Sequence, residues 1–328
     1  MVRRFVRWDD AYSAPKFRLL PRGGNALTWG GWSIGAMAVA AVLYYVVGMA
    51  IVHKVDDDLT FTPAEVPAGG SASVAMAAAL IEREVDQNFW TANDPFFYPS
   101  APLDNMPNFQ QGIMYSLSRF GIEMSDQIGR TRGSSEVDAD LDKAAGLLKY
   151  PGSVWIYDLR TSLLPTASSE SQYRAARRAL LAYNQRLGEG SAIFDRRADN
   201  LLGTLDRIAS DLGSSSATID QHLAKPRGLI IDTKVDDIFY AVKGRLYGYT
   251  LLLRALGEDF APVMAEKQVG AAWTQMLNSL EQAAKLDPLV VVNGDPDGLY
   301  FPSHLAVQGF YLLRARTQLR EISNILRN

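Results

Sequence analysis

The sequence predicts an all-α protein: one N-terminal transmembrane helix, then an ectodomain built as a helical bundle or array with at most two short strands. Three observations lead there. Trp29 to Val52 is a strongly apolar run without a charge. Beyond it, stretches of roughly 15–25 residues with helical apolar spacing alternate with Gly/Pro breaks. Strand candidates are few and far apart: VWIYDL at 154–159 and LVVV at 289–292.

The elements follow in chain order. Residues 1–28 set Arg3, Arg4, Arg7, Lys16, Arg18 and Arg22 against Asp9 and Asp10, a net charge of +4, and read as a basic cytoplasmic tail facing the membrane. Residues 29–52 read as a span, because only a helix satisfies every backbone polar group inside lipid. At about 1.5 Å per residue it reaches about 36 Å, against a hydrocarbon core of about 30 Å. Trp29 and Trp32 suit the first interface as amphipathic anchors. Gly31 and Gly35 form a G-x-x-x-G continued by Ala36 and Ala40, a face on which two spans can approach as a homo-oligomer. The basic flank stays in the cytoplasm, which places Asp56 to Asn328 across the bilayer. The rival reading is a signal peptide cleaved near Gly48-Met49-Ala50, but its apolar region spans only about 7–15 residues.

Residues 53–70 resemble an extended linker ending in Gly69-Gly70, and 71–328 form the helical domain. Ser71 or Ser73 can cap a helix with Val74, Ala78, Ile81 and Val85 on one face. A loop without helical period follows, holding Pro95, Pro99, Pro102 and Pro107 among Phe96, Phe97, Tyr98 and Phe109. Aromatics this dense either tuck against the domain or form an interaction loop. A helix over 108–130 carries Ile113, Leu117, Phe120 and Met124, and Ser135 caps the next, which runs to Tyr150. Helices are expected over 170–187, 191–212 and 214–224, parted by Gly188-Glu189-Gly190 and Gly213-Ser214-Ser215-Ser216. Further ones are expected over 235–257, 262–286 and 303–326.

The chemistry is mostly excluded. With a net charge of −3 overall, the chain after residue 28 carries −7, which argues against nucleic acid as a partner. The absence of cysteine removes disulfides, thiolate metal sites and thiol nucleophiles. His53, His222 and His304 have no zinc spacing, and no G-x-S-x-G, Walker A or G-x-G-x-x-G occurs, so neither cofactor nor catalytic residue is predicted. Three weaker patterns remain. Asn293, Asp295 and Asp297 with Gly298 resemble the start of a calcium loop, although its twelfth position is His304 rather than glutamate. Glu82, Glu84 and Asp86 lie near the aromatic loop, as paired carboxylates for glycan cleavage would. Arg130 and Arg132 stand among Asp126, Asp138, Asp140 and Asp142, as an ion-paired knot or an anion site.

The stretches NDPFFYPSAPLDNMPNFQQG (93–112), GRTRGSSEVDADL (129–141) and RRADNL (196–201) resemble a proteobacterial family catalogued as domain-of-unknown-function family 2333. The resemblance covers most of the length. It implies a short basic head, one span in the bacterial inner membrane and a helical periplasmic body, and carries over no catalytic residue. The expected function is a binding or scaffold subunit of an envelope complex, with the lipid bilayer and other membrane or periplasmic proteins as partners. The alternatives are a peptidoglycan hydrolase using the paired carboxylates and a periplasmic ligand sensor.

Overall fold

Helix α1 (Ala26–Val52) takes up the whole apolar run in the computed structural model, which describes residues 26–129, 137–157, 163–224, 233–292, 294 and 302–328. None of this apolar stretch is buried inside the body. Only Tyr45, Gly48, Met49 and Val52, spaced to share one helical face, are half-covered.

The body is helical, with no strand among its described residues. Its helices are α2 (Ala72–Glu82), α3 (Asn105–Glu123), α4 (Ala139–Leu148), α5 (Ser169–Gly188), α6 (Ala198–Leu223), α7 (Thr233–Asp259), α8 (Ala261–Glu266), α9 (Gly270–Ala284) and α10 (His304–Arg327). Helix α7 is the axis. It packs on α2, α3 and α9 and touches α6 and α10, so apolar residues are buried around most of its circumference. Its closest neighbour is α3. A Cβ at Gly244 would sit 2.0 Å from the Phe109 carbonyl oxygen, and one at Gly112 would sit 2.3 Å from that of Ala241. The two backbones meet because both positions are glycine. Helices α4 and α5 close one flank and α9, α10 and α6 the other, over one continuous apolar core from Leu59 to Leu326.

Ser71 caps α2 as its position suggests, accepting from the Val74 amide. A second cap comes from afar: the Asp259 carboxylate, ending α7, accepts from the Ala72 and Ser73 amides and both serine hydroxyls. An anion there satisfies the free amides of the first turn and complements the helix dipole.

Several boundaries differ from the sequence reading. Helices α2 and α3 both end in π-helical turns, Arg83–Gln87 and Met124–Ile128. Helix α6 runs unbroken through Gly213–Ser216. The Ser214 and Ser215 hydroxyls turn back onto the Asp211 carbonyl, and the bare Gly213 admits the Arg316 guanidinium of α10. Residues 191–197 are not helical, and 262–286 divides at Gln268, whose φ of 53° a continuous helix cannot hold. Ser135 lies outside the described residues; α4 is capped by Asp138, which accepts from the Asp140 and Leu141 amides. Neither strand candidate is a strand where described. Residues 154–157 form a turn tied to Thr166 and Ser169, and 289–292 form a bend whose end is tied to His304. Short apolar runs say that a surface is apolar, not what the backbone does.

Candidate functional site

The join between α1 and the body is heavily bonded. The chain leaves Val52 as His53-Lys54-Val55-Asp56-Asp57-Asp58, extended as expected of a linker, but held throughout. Asp56 lies 3.6 Å from Arg83 and 3.3 Å from Lys54, which also donates to Asn88 at 2.9 Å. Asp57 pairs at 2.6 Å with Lys243, a fully buried ammonium that also donates to the Leu286 carbonyl. The Tyr247 hydroxyl donates to the Asp58 carbonyl at 2.7 Å, and Arg254 reaches the Leu59 and Phe61 carbonyls. The acidic triplet is thus a strap drawn between the end of α2 and the face of α7.

Arg83 is the hub. Its side chain is 2% exposed and the Glu84 side chain 1%. The π-turn provides this placement: an added residue per turn lets Arg83, Glu84 and Val85 all face inward. The guanidinium donates to Glu84 at 2.8 and 2.6 Å and to the Tyr247 hydroxyl, and lies 4.8 and 4.9 Å from the ring centres of Phe61 and Tyr247. Burial pushes the Glu84 carboxyl above the usual range despite Arg83, because charge is costly in so dry a site. Burial also opposes the Asp56 carboxylate, yet Arg83, Asn88 and Lys54 hold it below its ordinary value.

The expected carboxylate cluster does not converge. Glu82 pairs with Arg177 at 2.6 Å, Asp86 with Arg174 at 2.6 Å and Glu84 with Arg83. Each acid is neutralised by a different arginine. The aromatic loop divides too: Phe109 is fully buried against Tyr247, whereas Phe96, Phe97 and Tyr98 are 82, 48 and 43% exposed. That exposed part rests on α1. Tyr44 donates to the Phe97 carbonyl at 3.0 Å, Tyr45 donates to that of Phe96, and Pro99 fills the space over Gly48. Between loop, Val52 and body lies a cavity of about 360 Å³ walled by Trp90, Tyr98 and Trp155, with Asp94, Glu170 and Arg174 at its edge.

Trp29, Trp32, Gly31 and Gly35 lie on the uncovered part of α1. Arg130, Arg132, Asn293, Asp295 and Asp297 fall outside the described residues. Two of the acids grouped with the arginine pair, Asp138 and Asp140, bind Arg186 at 2.8 and 2.6 Å. His304, the would-be twelfth calcium position, accepts the Val292 amide on Nδ1 at 2.9 Å, closing the neck of that loop instead. Sequence reasoning missed Lys243, Tyr247 and Arg254. Nothing local marks them, since they occupy ordinary positions of a long helix.

A second acidic feature lies where α3 and α7 begin. Asp104 caps α3, while Asp236 and Asp237 open α7. Burial, then Asp104 and Asp237, raise Asp236 to about 6.

A family model described as an uncharacterized protein conserved in bacteria (DUF2333) matches residues 67–228 and 225–328. No curated protein and no solved structure matches the chain.

Two predictions follow from the geometry. Arg83→Met strands a buried carboxylate and should destabilise the full chain in detergent by about 3–5 kcal/mol in denaturant unfolding. Arg83→Met/Glu84→Gln should recover most of that loss; a double variant no better than the single one contradicts the pairing. For Asp236, a carboxyl raised in the folded state favours folding below the unfolded value of 3.8 and loses that advantage as pH rises through about 6. Asp236→Asn should therefore unfold at a higher temperature than wild type at pH 7.5, with the difference vanishing near pH 4.

Proposed function

The chain belongs to the conserved bacterial family DUF2333, and from that premise we propose that it is a single-pass inner-membrane protein whose helical body serves outside the cytoplasm as a binding or scaffold subunit of an envelope complex. The observation that carries this reading is the bonded join between α1 and the body. A largely uncovered apolar stretch of 24 residues is fastened to a folded body by ion pairs whose cations, Arg83 and Lys243, are buried. Such an exposed apolar surface is unfavourable in water at about 25 cal/mol per Å², and lipid removes that cost. The Lys/Arg bias, with Arg3, Arg4, Arg7, Lys16, Arg18 and Arg22 before the helix against Lys54 just after it, orients the helix with its N-terminus in the cytoplasm.

A scaffold role is favoured over glycan cleavage by the state of the acids. Cleavage asks for two carboxyl groups facing each other across an open cleft, one of them protonated. Of the three acids grouped from the sequence, the raised one, Glu84, is sealed beside Arg83, and Glu82 and Asp86 are held by separate arginines.

Because the chain has no cysteine, single-cysteine variants report position directly. In intact spheroplasts, a membrane-impermeant maleimide should label Thr218→Cys on α6 at once and Ser13→Cys only after permeabilisation. The opposite pattern overturns the orientation, and equal labelling of both before permeabilisation overturns the span.

A further inference from the structure

The exposed part of the aromatic loop is fastened to the side of α1, not to its end. Tyr44 and Tyr45 hold the carbonyls of Phe97 and Phe96, and Pro99 packs where Gly48 lacks a side chain. These helix positions have a calculable depth. The uncharged run offers 24 residues, while a hydrocarbon core takes about 20. The core boundary on the body's side therefore falls between Gly48 and Val52. At about 1.5 Å per residue, Tyr44 and Tyr45 lie about 5–12 Å inside it.

We infer that residues 95–99 form a second membrane contact, a wedge inserted beside the span into the leaflet nearest the body, with lipid as its partner. The inference rests on α1 being the span proposed above.

Four further features fit a segment built for lipid. Residues 95–103, PFFYPSAPL, carry no charge. Backbone groups in lipid must be satisfied internally, and this loop does part of that, the Phe96 and Phe97 amides inside its turn having no acceptor among the described residues. Its prolines lack an N–H, Tyr98 and Ala101 donate to the Pro95 and Tyr98 carbonyls at 2.9 and 3.2 Å, and the two tyrosines of α1 cover the next carbonyls. The flanking acid, Asp94, receives the Ser100 hydroxyl, and burial raises its carboxyl toward the neutral form. Finally, the exposed rings do not end with the loop. Phe96 meets Phe97 at 5.4 Å, Phe97 meets Trp155 at 5.7 Å and Trp155 meets Tyr157 at 5.5 Å between ring centres. Such a chain of rings at the level where a span leaves the hydrocarbon has the make-up of an interfacial aromatic belt. It also explains why the stretch from Val154 is apolar without being a strand. Interfacial elements sink about 5–10 Å, which agrees with the depth set by Tyr44 and Tyr45.

The test uses the full chain in phospholipid vesicles, nitroxide-labelled at one of three single cysteines: Phe96→Cys in the wedge, Val39→Cys in mid-span and Thr218→Cys on the body. Collisional relaxation by oxygen, which concentrates in lipid, is compared with relaxation by a water-soluble nickel chelate. Labels at 96 and 39 should both favour oxygen, and the label at 218 nickel. If 39 favours oxygen while 96 behaves like 218, the wedge is wrong and the span stands. If 96 is shielded from both reagents, a protein surface covers the loop and the lipid assignment is overturned. If 39 itself favours nickel, the span fails and the wedge with it.

Discussion

Two buried cations determine how this molecule is joined. Arg83 and Lys243 are almost entirely removed from water, and a buried charge without a partner costs several kcal/mol. Their anions come partly from the body, as Glu84 and the distant Asp287, and partly from the strap, as Asp56 and Asp57. The strap is the continuation of α1. To release α1 from the body is therefore to take from Lys243 its nearer carboxylate and from Arg83 its second one, and this ties together a helix and a body that share little surface.

The same constraint places the aromatic loop. Once Asp56 to Phe61 is threaded between Arg83 and α7, the last two turns of α1 pass beside residues 96–99, and the half-covered face of Tyr45, Gly48, Met49 and Val52 is the result. The π-turn that presents Arg83 belongs to the helix leading directly into that loop. One local irregularity thus serves both the ionic hub and the approach of the loop to α1. Beneath it, the glycine contacts of α3 with α7 bring Phe109 onto Tyr247, which closes the hub from the core side.

Much of the fold was legible because it is written at short range. The apolar run, the Ser71 cap, the stripe of α3 and the extent of α10 each depend on residues within a few turns. The errors arose where distant partners override local signals. Gly213-Ser214-Ser215-Ser216 looks like a break, but α10 supplies Arg316 to pack against it. Glu82, Glu84 and Asp86 look like a cluster, but each turns to a different arginine, two of them on α5. Asp56 to Asp58 reads as a topology signal after an apolar run. Its structural use was hidden because Lys243 and Arg254 lie far along the chain on an otherwise ordinary helix. The exposed aromatics at 96–98 were visible as a loop of unusual composition, while their seat on Tyr44 and Tyr45 required the fold.

The clamped strap implies a fixed pose of the body relative to α1. Pulsed electron spin resonance on a Val39→Cys/Thr218→Cys chain in nanodiscs measures it directly. A strap clamped by Arg83 and Lys243 predicts one narrow distance distribution, broadening when Asp56 and Asp57 are both replaced by asparagine. A broad distribution in the otherwise unchanged chain would show that the body swings freely from α1 and would contradict the account.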